Sequence, residues 1–143
     1  MINFAYPLSE FKFLEKNILK EIKKVLNSNN YILGKQVKKF EKNFSKLNNS
    51  KFCVGVSSGT DALIIAIKSL DIGYKDKILV PSHTAPATIA SIIEVGAHPI
   101  FVDVNEEFNI DENKLPKKLN SKVKAIIAVH LYGNPCNMDL ILK

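Results

Sequence analysis

Residues 57–60 have the sequence Ser-Ser-Gly-Thr, between an apolar segment and a segment with helical periodicity. Backbone N–H groups at the start of a helix lack an acceptor within the helix, and with the helix dipole they attract anions. Gly59 would let a ligand approach the backbone, while Ser58 and Thr60 would add hydroxyl donors. A tight turn with an N-cap explains the same residues, so from this motif alone both interpretations stay open. The sequence contains neither GxGxxG nor GxxxxGK[ST], so it has no dinucleotide fingerprint and no P-loop.

Two histidines follow apolar segments that are typical of strands. His83 comes directly after Val80-Pro81-Ser82, and His130 begins the sequence His-Leu-Tyr-Gly. In open α/β sheets, ligands bind beyond the C-terminal ends of the strands. An imidazole there can stack on a planar ring or transfer a proton, although a lone histidine at a strand end is more often structural. Together with the turn at residues 57–60, this pattern predicts three polar loops at one edge of a sheet.

The first 50 residues have the periodicity of amphipathic helices. Ser9 is a plausible N-cap for the first helix. Its apolar stripe consists of Phe11, Leu14, Ile18, Ile22 and Val25. A second helix is predicted over residues 35–47.

From residue 51 onward, short apolar segments alternate with helical ones. Strands are predicted at 51–56, 77–80, 99–104 and 123–130, and helices at 61–70, 85–95 and 113–119, with Gly96 as a C-cap. This order predicts an α/β fold with a mainly parallel or mixed sheet and flanking helices. We therefore expect a helical segment over residues 1–50 and an incomplete α/β domain over residues 51–143. The apolar residues 140–142 are typical of the start of another helix, which we interpret as the sign of a truncated chain.

The composition narrows the classes of function. The 143 residues include 20 lysines and no arginine, with a formal net charge of +6. Because arginine makes the bidentate contacts to guanine and phosphate, its absence disfavours a nucleic-acid partner. No apolar run reaches the roughly 18 residues of a membrane span, and residues 1–6 do not form a secretory signal, so we expect a cytoplasmic protein without a membrane partner. Cys53 and Cys136 are far apart, and the histidines are scattered, so we expect no metal site; Cys53 is predicted to be a small core residue.

Five pieces of the sequence together resemble one family. They are residues 31–34 (YILG) with 40–41 (FE), 56–63 (VSSGTDAL), 80–84 (VPSHT), 96–104 (GAHPIFVDV) and 129–133 (VHLYG). In this order and spacing they resemble the DegT/DnrJ/EryC1/StrS family of pyridoxal-phosphate-dependent sugar aminotransferases. The resemblance covers essentially the whole chain.

The resemblance implies the N-terminal part of the large domain of a fold type I aminotransferase. It implies that Gly59 and Thr60, together with Ser58, hold the phosphate of pyridoxal 5'-phosphate. It also implies that His83 packs against the pyridine ring and that Tyr31 lies near the nucleotide-sugar site. The two other polar residues at the last strand end, His130 and Tyr132, are expected to be structural.

The resemblance further implies transfer of an amino group, with glutamate as the expected donor, to a keto group on a nucleotide-linked sugar. The full-length parent is expected to be a homodimer. In the family the Schiff-base Lys follows later, in a Ser-x-x-Lys context, and so does the acidic partner of the pyridine nitrogen, in a Glu-Asp-x-x-Gln context. We expect neither motif in this chain, so no catalytic residue is assigned and the chain alone is predicted to be inactive. A non-catalytic remnant or binding module that keeps the phosphate turn is the alternative, and a Rossmann-like nucleotide binder is disfavoured by the missing glycine fingerprint.

Overall fold

A computed structural model describes residues 6–143 of the chain. The expectation that residues 1–6 form no secretory signal therefore falls, except for Tyr6, outside the described residues. The chain divides into two compact units, the first ending at Gly55 and the second beginning at Val56. Within residues 6–143, no helix has both the length and the hydropathy required to cross a membrane.

The first unit contains two helices, α1 (Pro7–Asn27) and α2 (Lys35–Leu47). The predicted bounds of α2 are confirmed. The prediction that Ser9 caps α1 is wrong, because the helix begins at Pro7, whose fixed φ suits the first helical position. The Ser9 hydroxyl instead donates to the carbonyl of Tyr6 at 3.0 Å. Both helices lie wholly within the described range, and none of their residues is buried.

The predicted strand at residues 51–56 is wrong. This segment forms no ladder with any strand in the described part of the chain. Its hydrogen bonds go to side chains: the Gly55 N–H donates to Glu41 Oε1 at 2.8 Å, and the Phe52 carbonyl accepts from the Ser50 hydroxyl. An apolar segment becomes a strand only where a neighbouring strand supplies hydrogen bonds. Cys53 is accordingly half-buried rather than in a core.

The second unit is built on a three-stranded parallel sheet in the order β2-β1-β3. The strands are β1 (Lys77–Pro81), β2 (His98–Val102) and β3 (Val123–Ile126). The helices are α3 (Gly59–Ser69), α4 (Pro86–Glu94) and the short α5 (Met138–Ile141). A single 3₁₀ turn lies at Glu112–Lys114, and residues 131–133 form a turn in which Tyr132 and Gly133 have positive φ. The α/β prediction with a parallel sheet and flanking helices is confirmed.

The central strand β1 is buried on both of its faces. Ile78 and Val80 pack into one hydrophobic cluster with Ile92 of α4, while Leu79, between them, packs into a second cluster with Val102 of β2. Side chains alternate between the two faces of a strand, so a strand covered on both faces needs a continuous apolar run. The sequence Lys-Ile-Leu-Val at residues 77–80 meets that requirement.

Other elements also differ from their predicted bounds, among them β2, predicted at residues 99–104 and observed at His98–Val102, and one cap is confirmed. Instead of a helix over residues 113–119 there is one 3₁₀ turn, because Pro116 has no N–H to bond to the Glu112 carbonyl. The last strand ends at Ile126 rather than at residue 130. At the end of α4, Gly96 has φ +79°, and the N–H groups of Gly96 and Ala97 donate to the carbonyls of Ile93 and Ile92. These two hydrogen bonds form the Schellman motif, in which glycine is favoured because of its positive φ.

Candidate functional site

The turn at residues 57–60 leads into α3, as the sequence predicts. Ser58 is the N-cap, with extended backbone, and its hydroxyl accepts a hydrogen bond from the Asp61 N–H at 3.1 Å. Gly59 and Thr60 are therefore the first two helical residues, and helix geometry leaves their N–H groups without an intrahelical acceptor. A Cβ placed on Gly59 would meet no atom within 4 Å, so the space beside the first turn is open. The N-cap interpretation is thus correct, and it is compatible with an anion site.

Asp61 is tied to the same turn. Its Oδ2 accepts hydrogen bonds from the hydroxyls of Ser57 and Ser58, the second at 2.8 Å. These two hydrogen bonds lower the pKa of Asp61 below its ordinary value, because both stabilise the carboxylate. The bond from Ser57 has the larger effect, and the bond from Ser58 has the smaller one. The carboxylate thus stays ionised and holds both serine side chains in place.

Replacing Ser57 with Ala is expected to raise the pKa of Asp61, because the variant removes the bond with the larger effect on the carboxylate. The folded pKa of Asp61 lies below its unfolded value, so the carboxylate stabilises the fold above the unfolded pKa. That contribution is lost as the pH falls through the folded pKa. Titration of the Asp61 carboxyl carbon by NMR measures the change, with Ser69→Ala on the same helix as the control. An unchanged pKa in Ser57→Ala would show that the hydroxyl does not act on this carboxylate.

His83 lies just beyond the C-terminal end of β1, as predicted. The chain leaves β1 towards β2 on one side and later places β3 on the other side, so the strand order reverses at β1. In open α/β sheets, such a reversal opens a crevice at the C-terminal ends of the strands, where ligands bind. Tyr132 follows β3, and its hydroxyl lies 3.1 Å from His83 Nε2. The side chains that follow the two adjacent strands thus meet at this edge.

Phe108 joins these two residues and was not predicted from the sequence. Its ring centroid lies 6.0 Å from that of His83 and 6.0 Å from that of Tyr132. The only sequence signal for it is an aromatic residue between two turn-forming asparagines, Asn105 and Asn109. No hydrogen bond or ring contact joins this cluster to residues 57–60 within the described part of the chain, so a common ligand for both stays a prediction.

Tyr31 lies in the first unit, in the loop between α1 and α2. Its hydroxyl donates to the Leu26 carbonyl at 2.9 Å. The residue lines a cavity of about 360 Å³ whose wall also includes Lys24 and Lys35, together with Gln36. The wall thus combines a tyrosine with two lysines, of which Lys24 forms an ion pair with Glu21.

His130 has a structural role, as expected. Its Nδ1 accepts a hydrogen bond from the Cys136 N–H at 2.9 Å, and the Cys136 thiol donates to the Val129 carbonyl at 3.2 Å. These bonds fix the segment that follows β3.

The expectation that the chain lacks a Ser-x-x-Lys spacing is wrong as it stands. The spacing occurs at Ser9 and Lys12, and again at Ser121 and Lys124. Lys12 lies on α1 and Lys124 on β3, both are exposed, and both precede residues 129–133. Neither therefore has the late position that the resemblance implies for a Schiff-base Lys. The sequence Glu-Asp-x-x-Gln does not occur in the chain.

The model of the DegT/DnrJ/EryC1/StrS aminotransferase family matches residues 12–143. The chain belongs to this family. Its fold is accordingly the N-terminal part of the large domain of a fold type I aminotransferase.

Relatives of known activity and structure support the family membership. The dTDP-3-amino-3,6-dideoxy-alpha-D-galactopyranose transaminase of Aneurinibacillus thermoaerophilus is 43% identical over 129 residues, which cover 89% of this chain and 35% of that protein. The crystal structure of S. venezuelae DesV in complex with a ketimine intermediate superposes with a TM-score of 0.95 at 33% identity, covering 99% of this chain and 38% of DesV. The E. coli GDP-4-keto-6-deoxy-D-mannose-3-dehydratase with bound hydrated PLP matches with a TM-score of 0.79 at 34% identity, covering 86% and 33%.

The chain spans about a third of the length of the curated relatives that it matches, since the coverage of those relatives is 35–39% for the first three. The DegT family model, by contrast, matches nearly every residue present. The family membership therefore rests on nearly the whole of this chain.

Proposed function

We propose that this chain is the N-terminal part of a pyridoxal-phosphate-dependent aminotransferase that transfers an amino group from glutamate to a keto group of a nucleotide-linked sugar. The family membership supports the class of reaction, and relatives that act on dTDP- and GDP-linked sugars support the class of substrate. The enzyme is proposed to act in the cytoplasm as a homodimer.

The observation that carries this proposal is the start of α3. The N–H groups of Gly59 and Thr60 and the hydroxyl of Thr60 are donors that fit a phosphate dianion at the positive end of the helix dipole. The Ser58 hydroxyl would join them by turning its single O–H from Asp61 to the phosphate. The open space beside Gly59 admits such a group. Asp61 adds a negative charge to the turn, but its carboxylate is engaged by two serine hydroxyls.

His83 is proposed to hold the pyridine ring. Its imidazole is exposed at the reversal of strand order, where it can pack face to face on a planar ligand. When bound, pyridoxal 5'-phosphate supplies the electron sink and the aldehyde that transamination requires. Ser58, Gly59, Thr60 and His83 would bind and orient it, and no residue of this chain is proposed to transfer the proton.

Tyr31 is proposed to bind the nucleotide-sugar substrate. Its ring offers a stacking surface, and Lys35 in the same cavity offers positive charge for a diphosphate, whereas the ammonium of Lys24 is engaged by Glu21. The interpretation rests on residues of the first unit alone.

The alternative is a binding module that keeps the phosphate turn but has no transaminase activity. It is favoured by one observation, that neither Lys12 nor Lys124 has the late position expected of a Schiff-base Lys. The two functions share the cofactor site and differ in the covalent step.

Titration of the purified chain with pyridoxal 5'-phosphate tests the proposal. We expect saturable binding that inorganic phosphate displaces, no single lysine fixed by borohydride, and no amino transfer from glutamate. Binding that phosphate does not displace would contradict the role of the turn at residues 57–60. One stoichiometrically reduced lysine together with amino transfer would contradict the prediction that the chain alone is inactive.

A further inference from the structure

His83 is held by two other aromatic side chains. Its Nε2 lies 3.1 Å from the Tyr132 hydroxyl, and its ring centroid lies 6.1 Å from that of Tyr132 and 6.0 Å from that of Phe108. The Phe108 and Tyr132 rings meet edge to face, at an interplanar angle of 88°. The hydrogen bond to Tyr132 restrains the direction in which Nε2 of the imidazole points. The rings of Phe108 and Tyr132 restrain the orientation of the imidazole plane.

Both flanking residues have an unfavourable backbone conformation. Phe108 has φ +64° and Tyr132 has φ +57°, a region that bulky side chains rarely adopt. Burial in a core does not account for this conformation, because Phe108 is 52% exposed and Tyr132 is 78% exposed. Five other non-glycine residues of the described chain also have positive φ, so the conformation supports the proposal only together with the contacts to His83. Backbone strain in well-held loops is characteristic of functional sites, where it fixes the direction of a side chain.

The two loops that carry these residues are tied to each other. The Asn109 amide, 2% exposed, donates from Nδ2 to the Pro135 carbonyl at 3.1 Å. The Asn134 amide donates from Nδ2 to the Glu107 carbonyl at 3.4 Å. The residue beside Phe108 is thus bonded across to the segment that follows Tyr132, so the two rings are held as one unit.

We propose that Tyr132, supported by Phe108, is a positioning residue that fixes the orientation of the His83 ring for stacking on a planar ligand. The inference rests on the proposed function, since the ligand is the pyridine ring of pyridoxal 5'-phosphate. It goes beyond the expectation that Tyr132 is structural, which stays a prediction. Tyr132 acts through His83 and does not itself contact the cofactor.

The first test needs no cofactor. In Tyr132→Phe the flanking ring remains and the hydroxyl is lost, so the long-range ¹H–¹⁵N NMR signals of the His83 imidazole are expected to shift while those of His98 do not. Tyr74→Phe is the matched control, because Tyr74 is also 78% exposed and lies in the same unit. Unchanged His83 signals in Tyr132→Phe would overturn the proposal.

The second test measures the dissociation constant of pyridoxal 5'-phosphate by absorbance. Loss of one orienting hydrogen bond in Tyr132→Phe is expected to weaken binding about two- to tenfold, and Phe108→Leu is expected to weaken it as well. In His83→Ala, adding Tyr132→Phe is expected to weaken binding no further, because Tyr132 acts through His83. Equal effects of Tyr132→Phe with and without His83 would overturn the proposal. If the unmodified chain binds no cofactor, the proposed function fails, and the NMR comparison decides the part played by Tyr132 independently.

Discussion

Gly59→Pro is expected to weaken the binding of pyridoxal 5'-phosphate by about 10- to 100-fold without unfolding the second unit. The substitution deletes one backbone N–H at the start of α3. A hydrogen bond to a charged group contributes about 1.5–3 kcal/mol, and each 1.4 kcal/mol is about tenfold in affinity. Side-chain changes cannot remove this donor, so proline is the substitution that isolates it.

The local geometry predicts that proline is tolerated at this position. Residue 59 is the first of α3, where the missing N–H breaks no intrahelical bond, and α1 and α4 of this chain both begin with proline. Ser58 already has the extended backbone, φ −156° and ψ 166°, that the residue before proline requires. A Cβ on residue 59 meets no atom within 4 Å.

Gly59→Ala is the matched control, because it adds the Cβ but keeps the N–H. Cofactor dissociation constants and thermal unfolding of the two variants separate the donor from the added carbon. Equal affinity in Gly59→Pro and Gly59→Ala, with both folded, would mean that this N–H does not bind the phosphate.

Ile92→Ala is expected to lower the free energy of unfolding of the second unit by about 2–5 kcal/mol, through the cavity it leaves and the apolar burial it removes. Ile92 is 0% exposed and packs against Ile78 and Val80 of the central strand. A loss of this size is a large part of the total stability of a small domain.

Ile93→Ala is the neighbouring control on the same helix. Ile93 is 61% exposed, so its truncation is expected to change the stability by no more than about 0.5 kcal/mol. Urea unfolding followed by circular dichroism measures both variants. Similar losses in the two would show that α4 does not bury the face that contacts β1.

The pattern of apolar residues correctly predicts those helices and strands whose own sequence has a clear periodicity or an unbroken apolar run. Residues 35–47 have an unbroken helical periodicity, and α2 has those bounds. Residues 77–80 are apolar without interruption, and β1 is buried on both faces. Gly96 follows an apolar helix, and it adopts the positive φ of a C-terminal cap.

One error arises because the outcome depends on distant partners. Residues 51–56 are as apolar as β1, but an edge or partner strand decides whether such a segment forms a ladder, and local sequence does not encode that partner. Residues 113–119 fail for a local reason, the missing N–H of Pro116. Phe108 reaches the site because two loops far apart in sequence are bonded together by Asn109 and Asn134. The turn at Ser58, Gly59 and Thr60 and the helix that follows it were predictable from the local sequence alone, while their role as a phosphate site stays a prediction.

The strand pairing of the parallel sheet determines how much chain entropy is lost when each pair of strands comes together. Lys77 of β1 is paired with His98 of β2 on one side and with Val123 of β3 on the other. The second pairing closes a loop more than twice as long as the first, and each doubling of loop length costs about 0.6 kcal/mol of closure entropy. The β1–α4–β2 crossover is therefore the more local pairing, and during synthesis on the ribosome it is complete in sequence before any residue of β3 has been added.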